Sequence, residues 1–214
     1  NHKHFISTNA LMHKANKECY IFNKCLACDS VFLTNRVKES VLEDYYTVNY
    51  LPYKGAAAWG KHSSFVERSQ RKLDAKRLHF VAGETKSKKD FFSILDVGCG
   101  HPSFLDLVQQ KLNAKCTGID FSDNGWKNES YETLDLIKTS LADFKPGQSY
   151  DVITLWHYLE HDYHLHETVK KLYECLNPGG KLIIEVPDYQ SISARNQKQF
   201  WQGWHSPSHL TLIS

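Results

Sequence analysis

Ile94-Leu-Asp-Val-Gly-Cys-Gly-His-Pro-Ser-Phe-Leu105 is the stretch that decides the fold. It combines a short apolar run that contains one acid, a turn with two glycines, and the residues that begin a helix. In α/β proteins, such a turn presents backbone N–H groups to a small anionic ligand. The stretch therefore predicts a strand, a ligand-binding turn and a helix, in that order.

Strands and helices alternate on the C-terminal side of this turn. The pattern predicts strands over 91–97, 114–119, 134–139, 150–155 and 181–186, helices over 102–112 and 164–176, and a short or irregular helix near 122–131. On the N-terminal side, an amphipathic helix over 61–81 precedes a polar linker at 83–90, and we assign its basic residues, Arg77 among them, to the solvated face. The alternation predicts an α/β fold with a doubly wound, mostly parallel sheet.

The composition limits the classes of partner. The 214 residues carry a net charge of only +2 and are 41% hydrophobic. The basic residues near the helix over 61–81 lack the interleaved aromatic residues of a nucleic-acid surface. No apolar run reaches the ~18 residues of a membrane span, and the N-terminus has no signal-peptide pattern. We therefore expect a soluble cytoplasmic protein with a small-molecule partner, no nucleic acid and no membrane, and the oligomeric state stays open.

Six cysteines are too sparse for a disulfide framework, and one pair has metal-ligand spacing. Cys25 and Cys28 form a C-x-x-C between two β-type runs, which is the shape of one zinc knuckle. A closed zinc site needs four ligands. The other two would come from Cys19, from His2 and His4, or from chain before Asn1; otherwise the pair is a metal-free remnant.

Two acids define the chemistry of the glycine turn. Asp96 stands just before the turn, where its carboxylate would repel a pyrophosphate but would attract a cationic ligand. S-adenosylmethionine carries an ammonium and a sulfonium there, and its own carboxylate suits the N–H groups of a helix start. Asp120, at the end of the second strand, suits the two hydroxyls of a ribose.

Four motifs together resemble the class I S-adenosylmethionine-dependent methyltransferases. They are Ile94–Gly100, Gly118-Ile-Asp120, the stretch from Tyr150 to His161, and Leu176-Asn-Pro-Gly-Gly-Lys-Leu-Ile-Ile-Glu-Val-Pro187. The cysteine pair and the tail around Trp201–Leu210 resemble one subgroup with a small zinc-ribbon-like N-terminal module. The chain departs from the family in having Pro102 at the third glycine position. The family's last strands would lie beyond Ser214.

The resemblance implies three regions and a set of site residues. The regions are a cysteine-containing module at 1–35, a helical segment and linker at 36–90, and an S-adenosylmethionine-binding methyltransferase domain at 91–214. The implied cofactor contacts are Asp96, Gly98, Cys99, Gly100, Asp120, Phe121, Ala142, Asp143, Leu155 and Trp156. Tyr46, Tyr50, Trp201 and His205 are the expected acceptor-binding residues.

The histidine-rich stretch after the fourth predicted strand is open to two interpretations. His157-Tyr-Leu-Glu-His161 matches H-x-x-E-H, a zinc-peptidase pattern that requires both histidines on one helix. Because these residues directly follow a strand, we favour a place beside the methyl-transfer site. Methyl transfer is an in-line displacement that needs a base only when the acceptor must lose a proton. His157 is the first candidate for that base and His161 the second.

The sequence thus predicts methyl transfer from S-adenosylmethionine to an unidentified small molecule. One alternative is a nicotinamide-dependent oxidoreductase on the same type of fold, and the other is a zinc-binding module joined to an inactive methyltransferase-like domain.

Overall fold

The computed structural model describes residues 1–10, 18–41, 60–85 and 91–213. The strands are β1 (His2–Asn9), β2 (Cys19–Cys25), β3 (Val31–Leu33), β4 (Phe92–Val97), β5 (Ala114–Asp120), β6 (Asp135–Lys138), β7 (Tyr150–Trp156), β8 (Leu176–Glu185) and β9 (Thr211–Leu212). The α-helices are α1 (Ser63–Thr85), α2 (Ser103–Lys111), α3 (Leu165–Cys175) and α4 (Ile192–Gln197), and short 3-10 turns cover Leu159–His161, Lys198–Phe200 and Gln202–Trp204.

The chain forms two compact units. The first comprises Asn1–Tyr45, His157–Leu165 and Glu185–Ser214, and the second comprises Tyr46–Trp156 and His166–Ile184. Both units are therefore assembled from separate stretches of chain, whereas the predicted regions 1–35, 36–90 and 91–214 are continuous. That division into regions stays a proposal.

The second unit contains a five-stranded sheet with the order β6-β5-β4-β7-β8. The pairs β4–β5, β4–β7 and β5–β6 are all parallel. Every residue of β4 is buried, which is typical of a central strand with both sheet faces covered. Helix α2 packs so closely on β5 that a Cβ at Gly118 would lie 2.8 Å from Leu105 Cδ1. The predicted α/β, doubly wound fold is confirmed.

The strand order creates a topological switch point beside β4. The chain runs from β4 outward through β5 to β6 and then returns to β7 on the other side of β4. In open α/β sheets, ligands bind at the carboxyl ends of the strands where the order reverses. The glycine turn follows β4 at this edge.

The first unit contains an antiparallel sheet with the order β1-β2-β3-β9. Its core is aromatic and aliphatic: Tyr20, Phe22, Leu33 and Leu210 are at most 1% exposed, and Trp204 is 2% exposed. The sequence did not predict β1, because its side chains are mostly exposed and give no apolar alternation. Nor did it predict β9, which has two residues and pairs with a strand far away in the chain.

The predicted elements differ from the structure at three places. Residues 122–131 form turns rather than a helix, and the predicted turn at 177–180 belongs to β8. In α1, Arg77 is 8% exposed and Asp74 3% exposed, so assigning Arg77 to the solvated face was wrong. Phe65, an apolar residue of the same helix, is 73% exposed.

Among the helices of the described residues, none combines the length and the apolar character that crossing a membrane requires.

Candidate cofactor site

The glycine turn is held against the end of β5 by backbone hydrogen bonds. The N–H groups of Gly98 and Cys99 both donate to the carbonyl of Ile119, at 2.8 and 3.1 Å. Gly98 and Gly100 have φ values of 72° and 51°, in the left-handed region that favours glycine. The two glycines are therefore required by the turn itself.

Asp120 fastens the same turn with its side chain. One carboxylate oxygen, Oδ2, accepts the N–H of Gly100 at 3.1 Å, and the other, Oδ1, accepts the N–H of Ser122 at 3.0 Å. Burial raises the pKa of Asp120 to about 6, although these backbone bonds act to lower it. A carboxylate oxygen has two lone pairs, so each oxygen retains the capacity to accept a ligand hydroxyl.

Asp96 lies on β4, the strand next to the one that ends at Asp120. It stands opposite Thr154 in the β4–β7 register, and Thr154 Oγ1 donates to Asp96 Oδ1 at 2.6 Å. The residue is 3% exposed, and burial raises its pKa to about 7. Asp96 therefore exchanges its proton near neutral pH, and a cation that approached it would favour the ionised form.

Backbone from the loop after β5 lies directly against the glycine turn. A Cβ on Gly125 would stand 2.1 Å from the carbonyl oxygen of Gly100. At the same place, His101 Nε2 lies 3.5 Å from Glu129 Oε1. The loop thus covers one side of the turn, and glycine at 125 is what permits this approach. No local pattern in the sequence indicated this contact.

Helix α1 contributes a layer of buried polar side chains to the second unit near the turn. The sequence did not predict this layer. Asp74 accepts hydrogen bonds from Ser103 Oγ at 2.8 Å and from Gln70 Nε2 at 2.9 Å. The Arg77 guanidinium lies over the ring of Trp156, 4.7 Å from its centroid, and its charge acts to lower the pKa of Asp96. Helical spacing alone assigns such charges to solvent, because it contains no information on a partner in another element.

The other predicted cofactor contacts have different exposures. Cys99 is buried, and this burial raises the pKa of its thiol well above the usual range. Leu155 is completely buried, so it has the least surface to offer a ligand. The remaining four have exposed or partly exposed surface: Phe121, Ala142, Asp143 and Trp156. Asp143 already accepts a hydrogen bond from Ser140 Oγ at 2.7 Å.

His157 lies in the first unit between two carboxylates. Its Nδ1 is 3.1 Å from Glu160 Oε1 and its Nε2 is 3.1 Å from Glu185 Oε1. The hydrogen bonds to Glu160 and Glu185 raise the pKa of His157 to about 9, against the opposing effect of burial. His157 therefore carries both ring protons at neutral pH, and it can accept a proton only above that pKa.

His161, the second candidate base, has the opposite character. Its Nδ1 is 3.0 Å from the carbonyl oxygen of Ser208, and burial lowers its pKa. The ring is therefore neutral at pH 7. Because Leu159–His161 is a single 3-10 turn and His157 precedes it, the two histidines do not share a helix as the peptidase pattern requires.

The predicted acceptor-binding residues are only partly described. Tyr46 and Tyr50 lie outside the described residues. Trp201 is 9% exposed and packs edge-on against Trp204, with 5.3 Å between ring centroids, in the core of the first unit. His205 lies beside His209, with 4.9 Å between ring centroids. Trp201 thus has little exposed surface to offer an acceptor.

The cysteine pair lies at the turn after β2. Cys25 ends the strand, and Cys28 is exposed. The hydrogen bond between Cys28 and Ser30 is the main cause that lowers the pKa of the Cys28 thiol. Cys19 begins the same strand and lies at its other end. In the part of the chain that the structure describes, no third histidine, cysteine or acid joins this pair in a metal-ligating group. The described residues thus supply two of the four ligands that a structural zinc site needs.

A parallel sheet with a glycine turn and two acids at its switch point defines a Rossmann-like nucleotide-cofactor domain. Residues 65–214 match a family model described as "Methyltransferase domain". The chain belongs to this methyltransferase-domain family.

Curated relatives agree with this assignment. Two curated relatives are ubiquinone biosynthesis O-methyltransferases. The chain is 35% identical over 101 residues to the protein from Saccharophagus degradans, with 44% of the chain and 42% of the relative covered. It is 29% identical over 151 residues to the protein from Idiomarina loihiensis, with 65% and 57% covered. The chain thus spans about half the length of the curated relatives it matches.

Two solved structures share the fold at low identity. The plantazolicin methyltransferase BpumL, in complex with a pentazolic desmethylPZN analogue and SAH, has a TM-score of 0.50 at 20% identity, with 78% of the chain and 72% of the neighbour covered. The DhpI-SAM-HEP complex has a TM-score of 0.51 at 15% identity, with 76% and 72% covered.

Proposed function

We propose that the chain binds S-adenosylmethionine and transfers its methyl group to a small molecule. The observation that carries this proposal is the placement of Asp96 and Asp120 at the carboxyl ends of neighbouring parallel strands, on either side of the glycine turn. Both acids are buried and have raised pKa values, so both favour a ligand that brings cationic or hydroxyl donors.

The residues present fit this cofactor. Asp96 would hold the ammonium of the methionine part, the N–H groups of the glycine turn and the start of α2 would meet its carboxylate, and Asp120 would accept the ribose hydroxyls. Phe121, which is 42% exposed, offers a ring for the adenine face, and Asp143 is the candidate for the adenine amino group. Cys99, Ala142, Leu155 and Trp156 are the other proposed contacts.

When bound, the cofactor supplies an electrophilic methyl carbon attached to a sulfonium. The protein's contribution is alignment of the acceptor and exclusion of water. Because the curated relatives are O-methyltransferases, a hydroxyl is the first acceptor class to test. His157 as the base of that reaction would act in the upper part of the pH range, because its proton leaves near pH 9. Tyr46, Tyr50, Trp201 and His205 remain proposed acceptor contacts.

The finer subgroup assignment is also a proposal. The turn that carries Cys25 and Cys28 stands between β2 and β3, which supports a small N-terminal module like that of the zinc-ribbon-containing methyltransferases. Zinc at this pair would need ligands from outside the described residues.

The proposal is tested by titration calorimetry of the chain with S-adenosylmethionine and, separately, with NAD. We expect one equivalent of S-adenosylmethionine to bind and NAD not to bind. Binding of NAD alone would favour the oxidoreductase alternative. Binding of neither ligand, together with one equivalent of zinc that is lost when Cys25 and Cys28 are replaced by serine, would favour the inactive-domain alternative.

A further inference from the structure

The first unit contains a group of side chains of the types that bind metal ions. None of them is among the proposed contacts of the cofactor. We name Glu160, His161 and His209 the histidine–glutamate cluster. One ligand atom from each residue lies within 4.8 Å of the other two. Glu160 and His161 belong to the 3-10 turn Leu159–His161, and His209 precedes β9. The N–H of Leu210 donates to the carbonyl of Glu160 at 2.7 Å, so backbone bonding fixes the two segments side by side.

The cluster contains a carboxylate oxygen without a hydrogen-bond donor. Glu160 is 0% exposed; its Oε1 contacts His157 Nδ1 at 3.1 Å, but its Oε2 is buried and has no hydrogen-bond partner. A buried polar atom without a partner is costly and rare in folded proteins. This oxygen therefore retains the capacity to bind a positively charged or donating group, and the other oxygen of the same carboxylate, Oε1, lies 4.0 Å from His209 Nε2.

Both histidines have a backbone carbonyl oxygen beside Nδ1, which leaves Nε2 as the acceptor nitrogen of each ring. His161 Nδ1 lies 3.0 Å from the Ser208 carbonyl oxygen, and His209 Nδ1 lies 2.8 Å from the Gly203 carbonyl oxygen. A carbonyl only accepts hydrogen bonds, so Nδ1 carries the proton in both rings. In the neutral form of such a ring, Nε2 carries the lone pair that can bind a metal. In metal sites, a ligating histidine donates its other ring N–H to a carbonyl or carboxylate in the same way.

We propose that Glu160, His161 and His209 bind a divalent transition-metal ion of the zinc type. Two imidazole nitrogens and one carboxylate oxygen are a usual ligand set for Zn²⁺, with the fourth position left for water or for a further ligand. Zinc ligands lie about 2 Å from the ion and hence about 3.4 Å from each other, so ligand atoms that lie within 4.8 Å of one another would close by up to about 1.4 Å around the ion. The His205 ring lies beside the cluster, with its centroid 6.2 Å from that of His161.

This site differs from both zinc sites that the sequence suggested. It excludes Cys25 and Cys28, and it replaces the first histidine of H-x-x-E-H by His209 from the C-terminal tail. The ion would join the 3-10 turn to the segment before β9 and would thereby stabilise the first unit. It would also place a positive charge on the carboxylate that holds His157.

The site is tested by metal titration of the full chain after removal of metal with a chelator. Co²⁺ is added alone and followed by absorption, and Zn²⁺ is then added in competition. We expect one equivalent of Co²⁺, visible d–d bands without a sulfur-to-cobalt charge-transfer band, and displacement by Zn²⁺. Glu160→Gln keeps the shape of the side chain and removes its charge. His209→Asn keeps an N–H donor for the Gly203 carbonyl and removes Nε2. Each variant should bind the ion at least about tenfold more weakly, since loss of an outer-shell partner alone costs about 10–100-fold.

Two controls locate the ion. His166→Ala alters an exposed histidine, and Cys25→Ser with Cys28→Ser removes the cysteine pair; both should leave Co²⁺ uptake unchanged. The proposal is overturned if the parent takes up no metal, because a proton or water would then occupy Glu160 Oε2. It is equally overturned if a sulfur band appears and the cysteine variant loses the ion. Unchanged affinity in folded Glu160→Gln and His209→Asn, with folding verified by circular dichroism, would also contradict it.

Discussion

Thr154 donates a hydrogen bond to Asp96 across the pair formed by β4 and β7, with 2.6 Å between its Oγ1 and Asp96 Oδ1. The two residues stand opposite each other in the register, at the point where the strand order of the sheet reverses. This contact holds a buried acid at the edge where an α/β sheet binds its ligand. Burial raises the pKa of Asp96 to about 7, although the hydrogen bond from Thr154 acts to lower it.

Asp96→Asn should make the chain more stable at pH 8 and should weaken binding of S-adenosylmethionine. Burial raises the pKa of Asp96, so its contribution to stability is complete below the unfolded pKa of 3.8 and is lost as the pH rises through about 7. Above pH 7, the free energy of unfolding of the variant should exceed that of the parent by up to about 4 kcal/mol, because a tenfold change in an acid constant corresponds to about 1.4 kcal/mol. Urea unfolding at pH 5 and pH 8 measures this difference, and an equal difference at both values would contradict it.

Asp120→Ala should weaken binding of S-adenosylmethionine by about 1–3 kcal/mol, because the ribose hydroxyls lose their acceptor. It should also lower the free energy of unfolding, since the N–H groups of Gly100 and Ser122 lose theirs. Calorimetry and urea unfolding measure the two effects. Asp123→Ala is the matched control, because Asp123 pairs with Lys138 at the surface of the same loop. Parental affinity in a folded Asp120→Ala variant would remove Asp120 from the ribose site.

Gly125→Ala should displace the loop that covers the glycine turn. The new methyl group would lie 2.1 Å from the Gly100 carbonyl oxygen, so one of the two backbones must move. We expect a loss of stability on the order of 1–3 kcal/mol, in the range of overpacked core sites, and weaker cofactor binding. Gly147→Ala is the control, because a Cβ there meets nothing within 4 Å. Thermal unfolding of the two variants tests the contact, and equal stabilities would show that the loop does not lie on the turn.

His157→Gln should change the pH dependence of stability in the alkaline range. The hydrogen bonds with Glu160 and Glu185 raise the pKa of His157 from 6.5 to about 9. The stabilisation they provide is therefore complete below pH 6.5 and is lost as the pH rises through about 9. The free energy of unfolding of the parent should fall over this range relative to that of the variant. His164→Gln, at an exposed histidine that contacts Glu39, should follow the parent. Parallel pH profiles for parent and His157→Gln would show that His157 is not held by the two acids.

Local pattern was sufficient for the parallel sheet. The apolar run of β4, the turn that follows it and the acid at the end of β5 each lie within a few residues of the chain, and all were predicted within one or two residues. The contacts of Asp120 with Gly100 join positions that the motif already brings together. These features are readable because one segment of the chain contains both the element and its signal.

The features that the sequence did not predict depend on contacts between residues that are distant in the chain. Arg77 and Asp74 have helical spacing and charge, and the sequence contained nothing to show that Ser103 and Trp156 would receive them. His209 meets Glu160 only because β9 returns to pair with β3. Similarly, the two acids that hold His157 were visible in the sequence, but their convergence on one ring was not.

The measurement that tests the central claim most directly is a crystal structure of the chain with S-adenosylhomocysteine bound. We predict that the ribose hydroxyls lie within hydrogen-bond distance of the Asp120 carboxylate and that the amino group lies beside Asp96, above the turn of Gly98 and Gly100. A ligand bound away from the carboxyl ends of β4 and β5, or bound there with neither acid in contact, would contradict the account.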